Sequence, residues 1–143
     1  MIMRIPVSLI SVSLLLISST AGLAATSAGY GMGGPMAKFQ PVIDQANQSG
    51  ELFRITGHCQ SACTTFLGIR NVCVERSARL LFHAGHDRHF TISAYWTERI
   101  ASAYNAPLRQ YLTAGRYMET LAFHTVSGAA MIDRFGYREC PRK

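Results

Sequence analysis

In residues 55–68, "ITGHCQSACTTFLG", a β-branched, apolar lead-in meets a glycine, and two cysteines then bracket a serine that opens an apolar run of helical length. Leu52 to Gly57, "LFRITG", alternates apolar and polar residues as a strand does. After a three-residue turn, Ser61 to Gly68 reads as a short helix closed by its glycine. Upstream, Met36, Phe39, Val42, Ile43 and Ala46 recur at helical spacing, and Ser49–Gly50 supplies a stop. Downstream, "NVCVE" and "RLLFHA" are β-like runs separated by "RSA". Strand, helix and strand in this order predict a crossover with parallel pairing, hence an α/β fold. Beyond His89 the pattern predicts helices to the end of the chain. They cover about Ile92–Tyr104, Leu108–Leu112 after a break at Pro107, and Arg116–Phe123. A last one, "GAAMIDRF", is capped by Ser127 and ended by Gly136.

The N-terminal residues "MIMRIPVSLISVSLLLISSTAGLAATSA" have the three parts of a secretory signal peptide. Arg4 is the positive start, Val7 to Ile17 the apolar middle, and small residues around Ala21 to Ala25 the cleavage region. The apolar run is shorter than the ~20 residues a membrane span needs. Residues 1–25 are therefore expected to be a removable leader, and residues 26–143 one soluble domain in the periplasm or outside the cell. Cleavage after Ala25 leaves 118 of 143 residues, room for one domain and not two.

Without Arg4 the chain has 13 Lys and Arg against 8 Asp and Glu. The cations are scattered, with no basic run and no interleaved aromatics, which argues against nucleic-acid binding. Excess positive charge favours weak association with anionic membrane or envelope polymers. The four cysteines Cys59, Cys63, Cys73 and Cys140 read as two disulfides in an oxidising compartment, with all three pairings open. Zinc is disfavoured, because the Cys59–Cys63 spacing is not that of a zinc knuckle.

A serine where a strand runs into a helix N-terminus is chemically useful. The first helical turn has free N–H groups and a positive dipole end, and the N–H of Ala62 can meet an oxyanion formed when Ser61 attacks a carbonyl. The plainer role for Ser61 is a helix N-cap. His83, at the end of "RLLF", is the best placed base, since parallel strands finish on the same side. His83, His86 and His89 with Asp87 invite a metal reading, but in a loop this spacing carries no ligand geometry. Tyr95, Trp96, Tyr104, Tyr111, Tyr117 and Phe123 are expected to pack helices.

The series "GMGGP…GHCQSACTTFLG…CVERSARLLFHAG" resembles the ClpP/crotonase superfamily, in particular small exported serine-protease-like members. In that family a glycine lies four residues before the nucleophilic serine, as Gly57 does before Ser61. A later strand ends in the catalytic histidine, as at His83, and a Gly-Gly loop donates an oxyanion N–H, as Gly33 and Gly34 would. The resemblance covers about residues 31–90. It implies a small domain of parallel strands and crossover helices, and a Ser61–His83–acid site with Gly33, Gly34 and Ala62 as oxyanion hole. It further implies a peptide or other acyl substrate, assembly into homo-oligomers, and no cofactor. Glu119 stands nearest the family's acid, with Asp133 and Asp87 as rivals. Leader residues occupy the stretch where the family has a strand entering the Gly-Gly loop. A catalytically inactive, disulfide-stapled envelope-binding domain of the same fold is the alternative.

Protein recovered from the exported fraction should have an intact mass short by residues 1–25 and by the four hydrogens lost in two disulfides. A full-length, reduced mass would overturn both expectations.

Overall fold

The computed structural model describes residues 25–142, so the expected leader lies, apart from Ala25, outside the described residues. Helix α1 (Met36–Ser49) is followed by β1 (Phe53–Ile55), β2 (His58–Gln60), a 3₁₀ helix (Ser61–Gly68), β3 (Val72–Val74) and β4 (Arg79–Phe82). Then come α2 (Ala94–Ala101), α3 (Ala106–Ala114), β5 (His124–Ser127) and α4 (Gly128–Asp133). This is a mixed α/β fold with parallel strands.

Gly57, at φ +58, bends one extended run into β1 and β2, and the two halves enter different sheets. β1 pairs in parallel with β3, with Ile55 opposite Val74. β2 pairs in parallel with β4, with Cys59 opposite Leu80, and β5 joins the other edge of β4 antiparallel. The 3₁₀ helix is thus the expected crossover connection. Short segments widen the β1–β3 pair on both sides. Thr26 bridges Arg54, and buried Ser27 exchanges hydrogen bonds with both backbone groups of Thr56. Ahead of the glycine-rich loop the described residues hold this single bridge and no strand. At the opposite edge Glu139 bridges Val74, and a Cys73–Cys140 disulfide spans the same place with Cα atoms 4.8 Å apart.

The C-terminal half departs from an all-helical expectation. Pro107 does not break a helix; it sits in the first turn of α3, where its missing N–H costs no hydrogen bond. Side-chain caps start α2 and α3, Ser93 accepting from Trp96 N–H and Asn105 from Leu108 N–H. The stretch Arg116–Phe123, read as helix, is a series of turns. α3 ends in a Schellman motif, with Tyr117 N–H donating to Leu112 C=O and Arg116 N–H to Thr113 C=O. The left-handed position is taken by Arg116 (φ +57) where a glycine is usual, so the residue expected to open a further helix instead closes α3. β5 was missed because only Val126 of its four residues is buried. Ser127 does cap α4, accepting from Ala130 N–H, and Gly136 (φ +74) follows in an αL motif, its N–H donating to Ile132 C=O.

The core centres on Phe66 of the 3₁₀ helix, whose ring meets Phe53 at 4.7 Å, Phe39 of α1 at 5.4 Å and Tyr30 at 5.5 Å between centroids. Each buried phenylalanine contributes about 1.5–3 kcal/mol, which holds α1 and the 3₁₀ helix on the sheet ends.

The Cys73–Cys140 bridge closes a loop of 67 residues, for which the chain-entropy model gives about 4 kcal/mol. Replacing both cysteines by alanine should lower the melting temperature by more than about 10 °C in a domain of this size, measured by circular dichroism. An unchanged melting temperature would show that the bridge does not stabilise the fold.

Candidate active site

A cleft of about 730 Å³ opens where β2 and β4 end and α1 begins. Ser61 lies on its wall, at the first position of the 3₁₀ helix and with φ +55. The left-handed region is costly for a side-chain-bearing residue, about 1–3 kcal/mol, and such residues persist only where their surroundings enforce them. Ser61 is not a cap: the N-cap position is Gln60, no side chain caps the helix, and the Ser61 hydroxyl bonds to none of the described residues. The enforcement is visible on either side. A Cys59–Cys63 disulfide, with Cα atoms 5.2 Å apart, ties the middle of β2 to the first turn of the helix.

The glycine-rich loop is strapped along β2. Gln60 N–H donates to Gly31 C=O at 2.9 Å, and the Gln60 side-chain amide donates to Met32 C=O at 3.0 Å. A Cβ on Gly33 would stand 2.9 Å from Gln60 O and 3.0 Å from Ser61 Cβ, so only glycine allows this approach. The loop therefore arrives beside Ser61, although its N–H groups are not equivalent. Gly33 N–H donates to Tyr30 C=O at 3.0 Å and is not free for an oxyanion. Gly34 N–H has no partner among the described residues, and Gly34 lines the cleft. Ala62 N–H is in the first turn of the 3₁₀ helix and free by helix geometry. The first residues of α1, Met36 and Ala37, also line the cleft, which turns the positive end of that helix toward it.

His83 follows β4 and lines the same cleft as Ser61, as parallel β2 and β4 require. It is 6% exposed, wedged between the edge-on ring of Phe123 at 5.0 Å and the stacked ring of His86 at 5.6 Å. Burial, and secondarily the nearby His86 imidazole, push its pKa below the ordinary histidine value. The Ala84 main chain pulls weakly the other way without closing a hydrogen bond, since Nδ1 is buried with no partner.

None of the three candidate acids is brought to that nitrogen. Glu119 lies on an exposed turn with its carboxylate 2.7 Å from Arg116, and the helix expected over residues 116–123 does not form. Asp133 is paired with Arg76 at 2.6 Å. Asp87 lines the cleft, but its Oδ1 accepts from the N–H groups of His89 and Thr91. The cleft holds a serine and a histidine, and no carboxylate among the described residues reaches His83 Nδ1.

The histidine-rich loop does not converge on a point. His86 Nδ1 donates to Asp87 C=O, His89 Nε2 accepts from Arg88, and among the described residues no group of three His, Cys, Asp or Glu is placed to hold a metal ion. Of the aromatics expected to pack helices, Tyr104 is buried against Phe82 and hydrogen-bonds Thr64, and Tyr117 stacks on His124 at 3.4 Å. Trp96 and Phe123 instead form cleft wall, which their helical spacing concealed.

No family model matches the chain, and no curated protein or solved structure is significantly similar to it.

His83 and His124 both have pKa values lowered by burial. The unfolded chain takes up these protons near pH ~6.5 while the folded chain resists them. Stability should therefore be full above about pH 6.5, fall as pH drops from there through the folded values, and then level off. Urea midpoints across pH 7.5 to 4.5 check this, and His83→Asn should flatten the slope. An equally steep slope in that variant would place the linkage elsewhere.

Proposed function

We propose that the protein is an exported serine hydrolase of ClpP/crotonase-like type acting on a peptide or other acyl substrate. The observation that carries the proposal is Ser61 itself, a left-handed serine at a strand-to-helix turn, its hydroxyl uncapped and lining the cleft that His83 lines. A strained strand-to-helix turn is a recognised way to expose a nucleophile beside free N–H groups. In the proposed reaction Ser61 Oγ attacks the acyl carbonyl and His83 takes the hydroxyl proton. The oxyanion is met by the N–H groups of Ala62 and Gly34. His83 returns the proton to the leaving group, and water then attacks the acyl-enzyme by the same path. Burial supports the first step, because it keeps His83 in the neutral form that accepts a proton.

A specific observation favours the second reading, an inactive, disulfide-stapled domain that binds an envelope partner. The Nδ1 of His83 has no acceptor among the described residues. In serine hydrolases with a full triad the acid fixes the tautomer and steadies the imidazolium, and disabling it costs about 10⁴ in kcat. A Ser–His pair relies on packing by Phe123 and His86 for orientation alone, so slow turnover is expected.

Labelling by a fluorophosphonate probe separates the readings, because it needs an activated serine and no knowledge of the substrate. Wild-type protein should label, and Ser61→Ala, His83→Ala and the double variant should lose nearly equal, non-additive amounts. The labelling rate should rise with pH with a midpoint below the ordinary ~6.5, as the lowered pKa of His83 requires. No labelling by folded wild-type protein would leave the binding domain.

A further inference from the structure

The large apolar side chains exposed among the described residues are Met32, Phe90, Ile92, Tyr95, Leu121 and Phe123. They come from four separate segments, yet Met32, Phe90, Leu121 and Phe123 all line the cleft. Ile92 pairs with His86 of the cleft wall, and Tyr95 packs at 4.9 Å on Trp96 of that wall. The exposed apolar surface is thus gathered at one place, the rim of the cleft. Isolated apolar side chains on a surface need no account, but a contiguous group around a cleft marks an interaction surface.

The rim is shaped before any partner arrives. Phe90, 69% exposed and at φ +60, is the tip of a loop closed by Phe90 N–H to Asp87 C=O and Asp87 N–H to Thr91 C=O. The Asp87 carboxylate is turned into that loop, accepting two of its N–H groups. Arg88 lines the cleft beside Phe90 and has no carboxylate partner among the described residues. Of the chain's eight acids, Glu75, Glu98, Glu119, Asp133 and Glu139 are held by arginines, and the chain is +6 with the histidines neutral.

We propose that this rim docks on an anionic lipid surface. Phe90 and Met32 enter the boundary between headgroups and acyl chains, and Arg88 meets lipid phosphate. Aromatic and long apolar side chains beside an unopposed cation match that boundary, whose charge complements the chain's own. A second copy of the chain would set Arg88 and an excess of positive charge against their like, which disfavours self-association. No helix among the described residues is long and apolar enough to cross a membrane. Docking does not require Ser61 to be a nucleophile, and the two proposals fail separately.

The test is co-sedimentation of protein made from the complete sequence with vesicles of phosphatidylcholine and phosphatidylglycerol in equal parts, and with phosphatidylcholine alone. Any contribution of the N-terminal segment is common to all variants. Phe90→Asn, whose side chain tolerates the left-handed backbone, combined with Met32→Ser should weaken binding to the mixed vesicles at least about tenfold. Arg88→Gln should weaken it about fivefold on mixed vesicles and not on phosphatidylcholine alone. Melting temperatures identify any variant that misfolds, and Arg88→Gln, a substitution at an exposed side chain, keeps the test decisive if the double variant does. Three results would overturn the proposal: no binding of wild-type protein, binding indifferent to both sets of substitutions, or a dimer in sedimentation velocity that Phe90→Asn dissociates while vesicles go unbound.

Discussion

The covalent tie between Cys59 and Cys63 across Ser61 is the constraint on which the rest of the cleft depends. A left-handed serine costs about 1–3 kcal/mol, and closing so short a loop removes roughly 2 kcal/mol of unfolded-chain entropy. The two are of similar size, so the bridge offsets the strain it encloses. Because Cys59 is also the middle residue of β2, opposite Leu80 of β4, the same tie fixes the serine relative to the strand that ends at His83. Gly33 adds a second fixed neighbour by lying against Ser61 with no room for a Cβ. Three segments distant in sequence are thus registered on one turn.

Around that turn the sheets are short, and closure at their edges substitutes for length. Residues 25–27 and 138–140 each add only a bridge to the β1–β3 pair, but one is held by the buried Ser27 hydroxyl and the other by the Cys73–Cys140 disulfide. Arg54 on β1 links both edges. Its backbone pairs with the N-terminal segment, and its buried guanidinium reaches Glu75 at 3.2 Å and the Pro141 carbonyl at 3.0 Å. Its Nε has no partner among the described residues, so the group is satisfied only in part. Removing Glu75 alone would leave an uncompensated buried charge, which is more damaging than replacing both partners together.

The chemistry available in the cleft follows from what surrounds His83. Apolar and aromatic neighbours exclude water from Nδ1 and lower the proton affinity of the ring, which leaves a neutral base at neutral pH. No carboxylate among the described residues reaches Nδ1, Asp87 of the cleft wall being turned to the N–H groups of its own loop. A full triad gives both orientation and charge compensation, and here only orientation is present, through Phe123 and His86. The cleft thus combines a buried neutral histidine with free N–H groups beside Ser61, and an apolar rim surrounds the same region.

Local features of the sequence were enough for the elements nearest Ser61. The periodicity of residues 36–48 and the αL stop at Gly50 marked α1. The alternation in "LFRITG" marked β1, and Gly68 marked the end of the helix that Ser61 opens. The four cysteines required two bridges without saying which. Parallel pairing across the helix was legible because a strand-helix-strand order leaves little other choice, but residues 58–60, read as a turn, form β2, the strand that runs into Ser61 and pairs with β4. The tertiary structure alone decided the rest. The Cys59–Cys63 pairing, the left-handed backbone of Ser61, the single-bridge edge strands and the antiparallel β5 all depend on contacts between distant segments that no local pattern encodes. So do the placement of Trp96 and Phe123 in the cleft wall and the absence of an acid at His83. Arg116 is the plainest case, for it was expected to open a separate helix over residues 116–123, whereas its left-handed backbone ends α3 and the turns that follow leave Glu119 on Arg116 and not on the histidine it was expected to orient.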